Sequence, residues 1–158
     1  MRMVKVMRAI GALGLVLFPL LVLTACDTEA RQGPVSVRSG ADGLELAICA
    51  DMTIEEAFVS VYDQGKSSDI WVAIGEAEIR HGASFSVLAP PDGLATSEFN
   101  DVEINPRDDL YVTLNGPFTD GTASSASTAV KVPKSGLPRS EWLQTDGSFA
   151  DDPCEYWK

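Results

Sequence analysis

The chain has 158 residues, with 23 acidic side chains against 12 basic ones, a single histidine and a formal net charge of −11. A surface this acidic repels polyanions, so nucleic acid is excluded as a partner. One histidine is also too few for the usual catalytic zinc site, which holds its metal through three protein ligands, commonly two or more of them histidines.

The first segment is built like an export signal. Arg2, Lys5 and Arg8 make a basic start, and an apolar run follows from Ile10 to Leu23. That run is shorter than the roughly 18–20 residues a comfortable membrane span needs, and within the usual range for the core of a signal peptide. It ends in Leu23-Thr24-Ala25-Cys26. This pattern of a Leu, two small residues and a Cys resembles the lipobox of bacterial lipoproteins. The resemblance implies a signal peptide over 1–25, cleaved before Cys26, and a diacylglyceryl group on the Cys26 sulfur. It also implies localisation at the cell membrane, held by acyl chains such as palmitate on the extracytoplasmic face, with the membrane as a partner through that lipid. Two or three acyl chains hold a protein firmly where one does so only marginally. Two other readings fit the same run: an ordinary secretory signal cut after Ala25, which leaves Cys26 a plain thiol, and a single-pass anchor. Cleavage removes three cations and deepens the negative charge by three.

Residues 26–42 combine the lipid-bearing Cys26 with a polar stretch carrying Gly33, Pro34 and Gly40. They are expected to be a flexible linker, with at most a short strand at Pro34–Arg38. A coil of this length spans roughly 20–25 Å, which keeps the following domain, residues 43–158, close to the bilayer.

From Gly43 onward the texture is that of strands. Leu44, Leu46 and Ile48 alternate with Glu45, Ala47 and Cys49, a period of two. Thr53–Tyr62 is rich in β-branched and aromatic residues, and Asp63–Ser68 supplies a loop containing Gly65. Ile70–Ile74 reads as a strand buried on both faces, with Trp71 in the core. Arg80-His81-Gly82 is a turn, Ser84–Leu88 a strand, and Pro90–Gly93 a strong turn signal. Phe99–Ile104 is a weaker strand and Leu110–Leu114 a clear one. Ser125–Val132 is a more polar strand suited to an edge, and Glu141–Gln144 is a last short strand or a single helical turn.

Seven or eight short strands with turns between them predict an all-β chain, a single small β-sandwich. The layout loosely resembles immunoglobulin-like domains, without their Cys…Trp…Cys spacing. It also resembles small, uncharacterised lipoproteins of high-GC Gram-positive bacteria, which carry an early strand with Cys, an aliphatic–Trp strand and a late Cys. No activity comes with that resemblance. With Cys26 assigned to lipid, Cys49 and Cys154 remain, and in an exported chain an even pair predicts one structural disulfide.

Catalytic chemistry is poorly provided for. His81 is the lone candidate base, in a turn, and no G-x-S-x-G elbow accompanies it. Glu76 and Glu78 sit two apart and share a face if their strand continues; such a pair could serve as acid and base in a small cell-wall or carbohydrate-active enzyme. Asp108-Asp109, Asp120 and Asp151-Asp152 are oxygen donors in loops, the ligand type calcium takes, but none fits a calcium-loop pattern. Trp142 and Trp157, in the irregular C-terminal part, read as covering a sheet end; exposed together with Tyr156 they would instead make a contact surface for a sugar or a protein. The expectation is therefore a non-catalytic binding or structural envelope module, without cofactor, engaging an envelope protein or polymer. A receptor for a small ligand or a cation is a further alternative.

Overall fold

The structure, a computed structural model, describes residues 31–157. The signal segment and Cys26 lie outside these residues, as does Lys158. The strands are β1 (Arg31–Gln32), β2 (Val35–Gly40), β3 (Gly43–Ile48), β4 (Met52–Asp63), β5 (Lys66–Ile79), β6 (Ala83–Ser86), β7 (Leu94–Phe99), β8 (Asp109–Asn115), β9 (Ser125–Lys131), β10 (Trp142–Leu143) and β11 (Phe149–Ala150), followed by a 3₁₀ turn at Glu155–Trp157. They form a six-stranded sheet in the order β1-β9-β8-β4-β5-β7 and a five-stranded sheet in the order β11-β10-β2-β3-β6. All pairings are antiparallel except the short parallel pairing of β1 with β9. The chain is thus a small all-β sandwich. Its β4-β8-β9 neighbours repeat the C-F-G sheet of immunoglobulin-like sandwiches, and β2-β3 repeats the A-B pair. The β10–β11 hairpin beyond β2 is an addition to that plan.

Period-two alternation places the core. Val35, Val37, Leu46 and Ile48 project from one sheet, and Ile54, Val59, Leu110, Val112 and Leu114 from the other, all fully buried. Each such side chain contributes about 1.5–3 kcal/mol relative to exposure. Trp71 is fully buried on β5, as its mid-strand position predicts. Its indole Nε1 donates to Thr96 Oγ1 at 3.1 Å, and its ring lies 6.2 Å from that of Phe85 across the sandwich.

Four sequence-based expectations need correction. The linker does not extend to residue 42. Arg31–Gln32 and Val35–Gly40 are strands of opposite sheets, and Gly33-Pro34 carries the chain across between them. Val35 and Val37 supply core-facing apolar groups that a polar linker would lack. The β4–β5 connection is shorter than the expected six-residue loop. Gln64 and Gly65 both take positive φ, 47° and 87°, and Asp63 pairs with Lys66, the two-residue hairpin whose twist suits its flanking strands. The strand expected over Phe99–Ile104 lies earlier, at Leu94–Phe99. After Phe99 the chain turns back on itself, with Val102 N–H donating to the Asn100 carbonyl at 2.8 Å, so the apolar side chains beyond it belong to a loop. Finally, Val87 and Leu88 leave the sheet at the end of β6. A turn closed by Ala89 N–H on the Ser86 carbonyl ends the pairing there.

The two ends of the sandwich differ. At one end Gly33, the Ile48–Cys49 terminus of β3 and the C-terminal segment meet. Gly33 N–H donates to Ser127, Cys49 N–H to Pro34, and Thr145 Oγ1 to the Gly33 carbonyl at 2.7 Å. The Cys49–Cys154 disulfide locks this end, with Cα atoms 5.4 Å apart across 105 residues of sequence. Ser36 Oγ adds a bond to the Pro153 carbonyl at 2.6 Å. The other end carries the β2–β3 turn at Gly40–Gly43 and the loops over 99–104 and 133–139.

Candidate functional site

A recess with both apolar and polar lining lies at that second end, between the open edges of the two sheets. It is a groove of about 420 Å³, within the size range of small-molecule sites. Leu44 of β3, from the five-stranded sheet, and Ile70 and Trp71 of β5, from the six-stranded sheet, form its floor. Val102, Ile104 and Leu137 from the two crossing loops make the walls, and Leu88 and Phe99 stand at the mouth. Those last two are 55% and 47% exposed, unusually open for side chains of their size. Its polar lining comes from Ser39, Asn100, Asp101, Ser135 and Arg139.

The frame of the groove is held by backbone bonds. Asn100 N–H donates to the Ile70 carbonyl at 3.0 Å, and the Asn100 side-chain amide donates to the Asp69 carbonyl at 3.0 Å and to Glu98 Oε1 at 2.7 Å. These contacts dock the 99–104 loop against β5. The second loop is fixed by Ser39 N–H on the Pro138 carbonyl at 2.8 Å, and Val87 is tied to Leu44 at 3.0 Å. Arg139 lies on the rim, exposed, and also borders a small hollow with Arg38 and Glu45. Arg38 itself is engaged, with Nε 2.6 Å from Glu45 Oε2 and its guanidinium 4.2 Å from the centre of the Trp142 ring. Chemically, the groove offers apolar walls on both sides and hydrogen-bonding groups at the rim. It presents no nucleophile paired with a base.

The sequence-predicted residues fall elsewhere. Cys49 and Cys154 are joined. The aromatic group of Trp142, Tyr156 and Trp157 does not form one exposed surface, which is a correction. Trp142 is buried on the outer side of β10, under the Arg38 guanidinium, because β10 pairs with β2 and brings the two side chains onto one face. Tyr156 and Trp157 remain together, edge to face at 5.1 Å between centroids, with Tyr156 exposed and Trp157 half-buried. Glu76 and Glu78 do share the solvent face of β5, since the strand runs on to Ile79, but only Glu78 borders a hollow, with Asp51 and Arg80. The two carboxylates therefore do not face each other across a cleft. His81 is exposed in its turn, where its backbone N–H donates to Asp51 at 2.8 Å.

Of the five loop aspartates expected, three cap turns, Asp109 is ion-paired on β8 and Asp151 is exposed. Asp108 accepts from Asn105 N–H, Asp120 from Thr122 and Asp152 from Cys154 N–H, while Asp109 pairs with Lys131 at 2.6 Å. Among the described residues, no group of three or more His, Cys, Asp or Glu converges on a metal position. The Asp146 carboxyl has a lowered pKa: the Ser148 hydroxyl and then the Ser148 backbone N–H donate to it, at 2.6 and 2.9 Å.

The groove residues were not picked out from the sequence. The signal available was a cluster of apolar residues, Leu88, Phe99, Val102 and Ile104, beside turn residues. In sequence this is the same signal as an edge strand. No protein-family model, curated protein or solved structure matches this chain.

Proposed function

We propose that the mature chain is a lipid-anchored, extracytoplasmic binding module that takes an apolar-bodied small molecule, or the apolar end of a larger one, into the inter-sheet groove. The anchor rests on the basic start, the apolar run and Leu23-Thr24-Ala25-Cys26. The observation that supports the binding role is polarity. The chain joins the sandwich at the Gly33 and Cys49 end, and the groove opens at the other end of the same strands. The six residues of β2 separate the two ends by about 20 Å. A tether through Cys26 would hold the first end at the bilayer and present the groove outward, to ligands arriving from solvent or from a neighbouring envelope component.

The test uses the secreted Cys26→Ala chain and the probe 1-anilinonaphthalene-8-sulfonate. The expected result is saturable, one-to-one fluorescence enhancement in the wild-type groove and its loss in Leu88→Asp and Phe99→Asp. Both side chains are exposed at the mouth, so these variants should keep their melting temperature. Enhancement that is absent, or indifferent to both substitutions, would refute the assignment of the groove.

A further inference from the structure

The anchored end of the sandwich carries an exposed tyrosine stacked on a half-buried tryptophan, placed where a bilayer would be, and we infer that Tyr156 and Trp157 form a foot that rests on the headgroup layer and sets the orientation of the domain. This rests on the lipid-anchor reading above and adds a second, non-covalent contact with the membrane.

Three observations carry it. First, the aromatic pair adjoins the point where the chain joins the fold: the Trp157 ring lies over Gly33, so closely that a Cβ at residue 33 would collide with it. Second, the chain available between anchor and fold is short. From Cys26 to Arg31, whose backbone is paired with Ala126 on β9, five residues reach at most about 18 Å even fully extended. Residues bordering Gly33 are therefore confined to the neighbourhood of the bilayer surface. Third, the side chains are of the right kind. Tyr156 is 52% exposed although it stacks edge to face on Trp157. Tyr and Trp are the residues that settle at membrane interfaces; here Tyr156 carries the exposed polar edge, while Trp157 is half-buried with its Nε1 enclosed. The Cys49–Cys154 disulfide immediately precedes the pair and fixes its position relative to Gly33, so the foot is preorganised.

The flanking charges set its depth. Asp151 and Glu155 lie on either side of the disulfide and are exposed. Burying a carboxylate is costly, so the ring contact stays at headgroup level. It also follows that anionic lipid opposes docking and that salt relieves the opposition, the reverse of what a basic peripheral protein does.

The experiment uses the full-length acylated protein in phosphatidylcholine vesicles whose lipids are brominated near the top of the acyl chain, a short-range quencher of tryptophan. Mass spectrometry of the Cys26 peptide is run on the same sample. With diacylglyceryl present on Cys26, tryptophan emission should fall in brominated vesicles, and the fall should vanish in Trp157→Phe and in Tyr156→Asp. Tyr156→Trp should deepen it. Replacing part of the phosphatidylcholine by phosphatidylglycerol should reduce the quenching, and added salt should restore it. Unquenched emission from a protein with confirmed lipid would overturn the foot and leave the anchor standing. A Cys26 peptide free of lipid would overturn the anchor, and the foot with it.

Discussion

Removing the Cys49–Cys154 disulfide should lower stability by about as much as a large core truncation. The bond closes a loop of 105 residues. In the chain-entropy relation that constraint is worth about 4.8 kcal/mol at 25 °C as an upper value, and about 2–4 kcal/mol in typical measurements. What remains to hold the segment after its loss is modest. The Ser36–Pro153 bond at 2.6 Å and the Gln144–Asp152 bond at 3.3 Å contribute about 0.5–1.5 kcal/mol each. Without the cross-link the segment can lift away from Ser36 and Ala47, both fully buried beneath this end of the molecule. The assay is thermal unfolding of Cys49→Ala/Cys154→Ala in the Cys26→Ala background, followed by far-ultraviolet circular dichroism. The double variant avoids a stray thiol. At roughly 3–5 °C per kcal/mol for a domain of this size, the melting temperature should fall by roughly 6–20 °C. A variant melting within about 2 °C of its parent would refute the argument that this loop closure supports the whole sandwich.

Three further outcomes are expected. Gly33→Ala should destabilise by about 1–3 kcal/mol in urea unfolding, because φ is +91° there and the Trp157 ring fills the space; much of the steric part should be recovered when Trp157→Ala is added. Leu110→Ala, at a fully buried position between the sheets, should cost about 2–5 kcal/mol by the same assay, according to how far the cavity collapses. Asp146 should titrate below its unfolded counterpart in a carbon-detected carboxyl titration, since the Ser148 hydroxyl and N–H stabilise its charged form. A depressed folded pKa means that this contribution is present above the unfolded value and is lost as pH falls through the folded one, and Ser148→Ala should move the titration upward.

Much of the sandwich is readable in one dimension because side-chain alternation is a local property. Leu44, Leu46 and Ile48, or Leu110, Val112 and Leu114, declare their faces without knowledge of any partner. Counting did the same for the disulfide: with Cys26 assigned to lipid, Cys49 and Cys154 are the pair that remains. The pairing of Glu76 and Glu78 on one face also followed from spacing alone, yet their distance from any shared cleft did not. Spacing says which face a residue occupies and nothing about what stands opposite. The Arg31–Gly40 stretch shows the complementary limit: its polar, Gly- and Pro-bearing composition reads as linker, and only the docking of Val35 and Val37 between the sheets makes it structure.

The sequence by itself therefore determined the all-β class, the positions of most strands, the burial of Trp71 and the residues available for cross-linking. These depend on chain-local period, turn chemistry and counting. Tertiary structure alone decided that Trp142 is covered by Arg38 while Tyr156 stays open, that Leu88 and Val102 line a groove rather than pair in strands, and that the groove and the disulfide end lie at opposite poles. Each of these is set by contacts between residues tens of positions apart, and such contacts follow from how the two sheets are stacked and ordered, which no local pattern of side chains encodes.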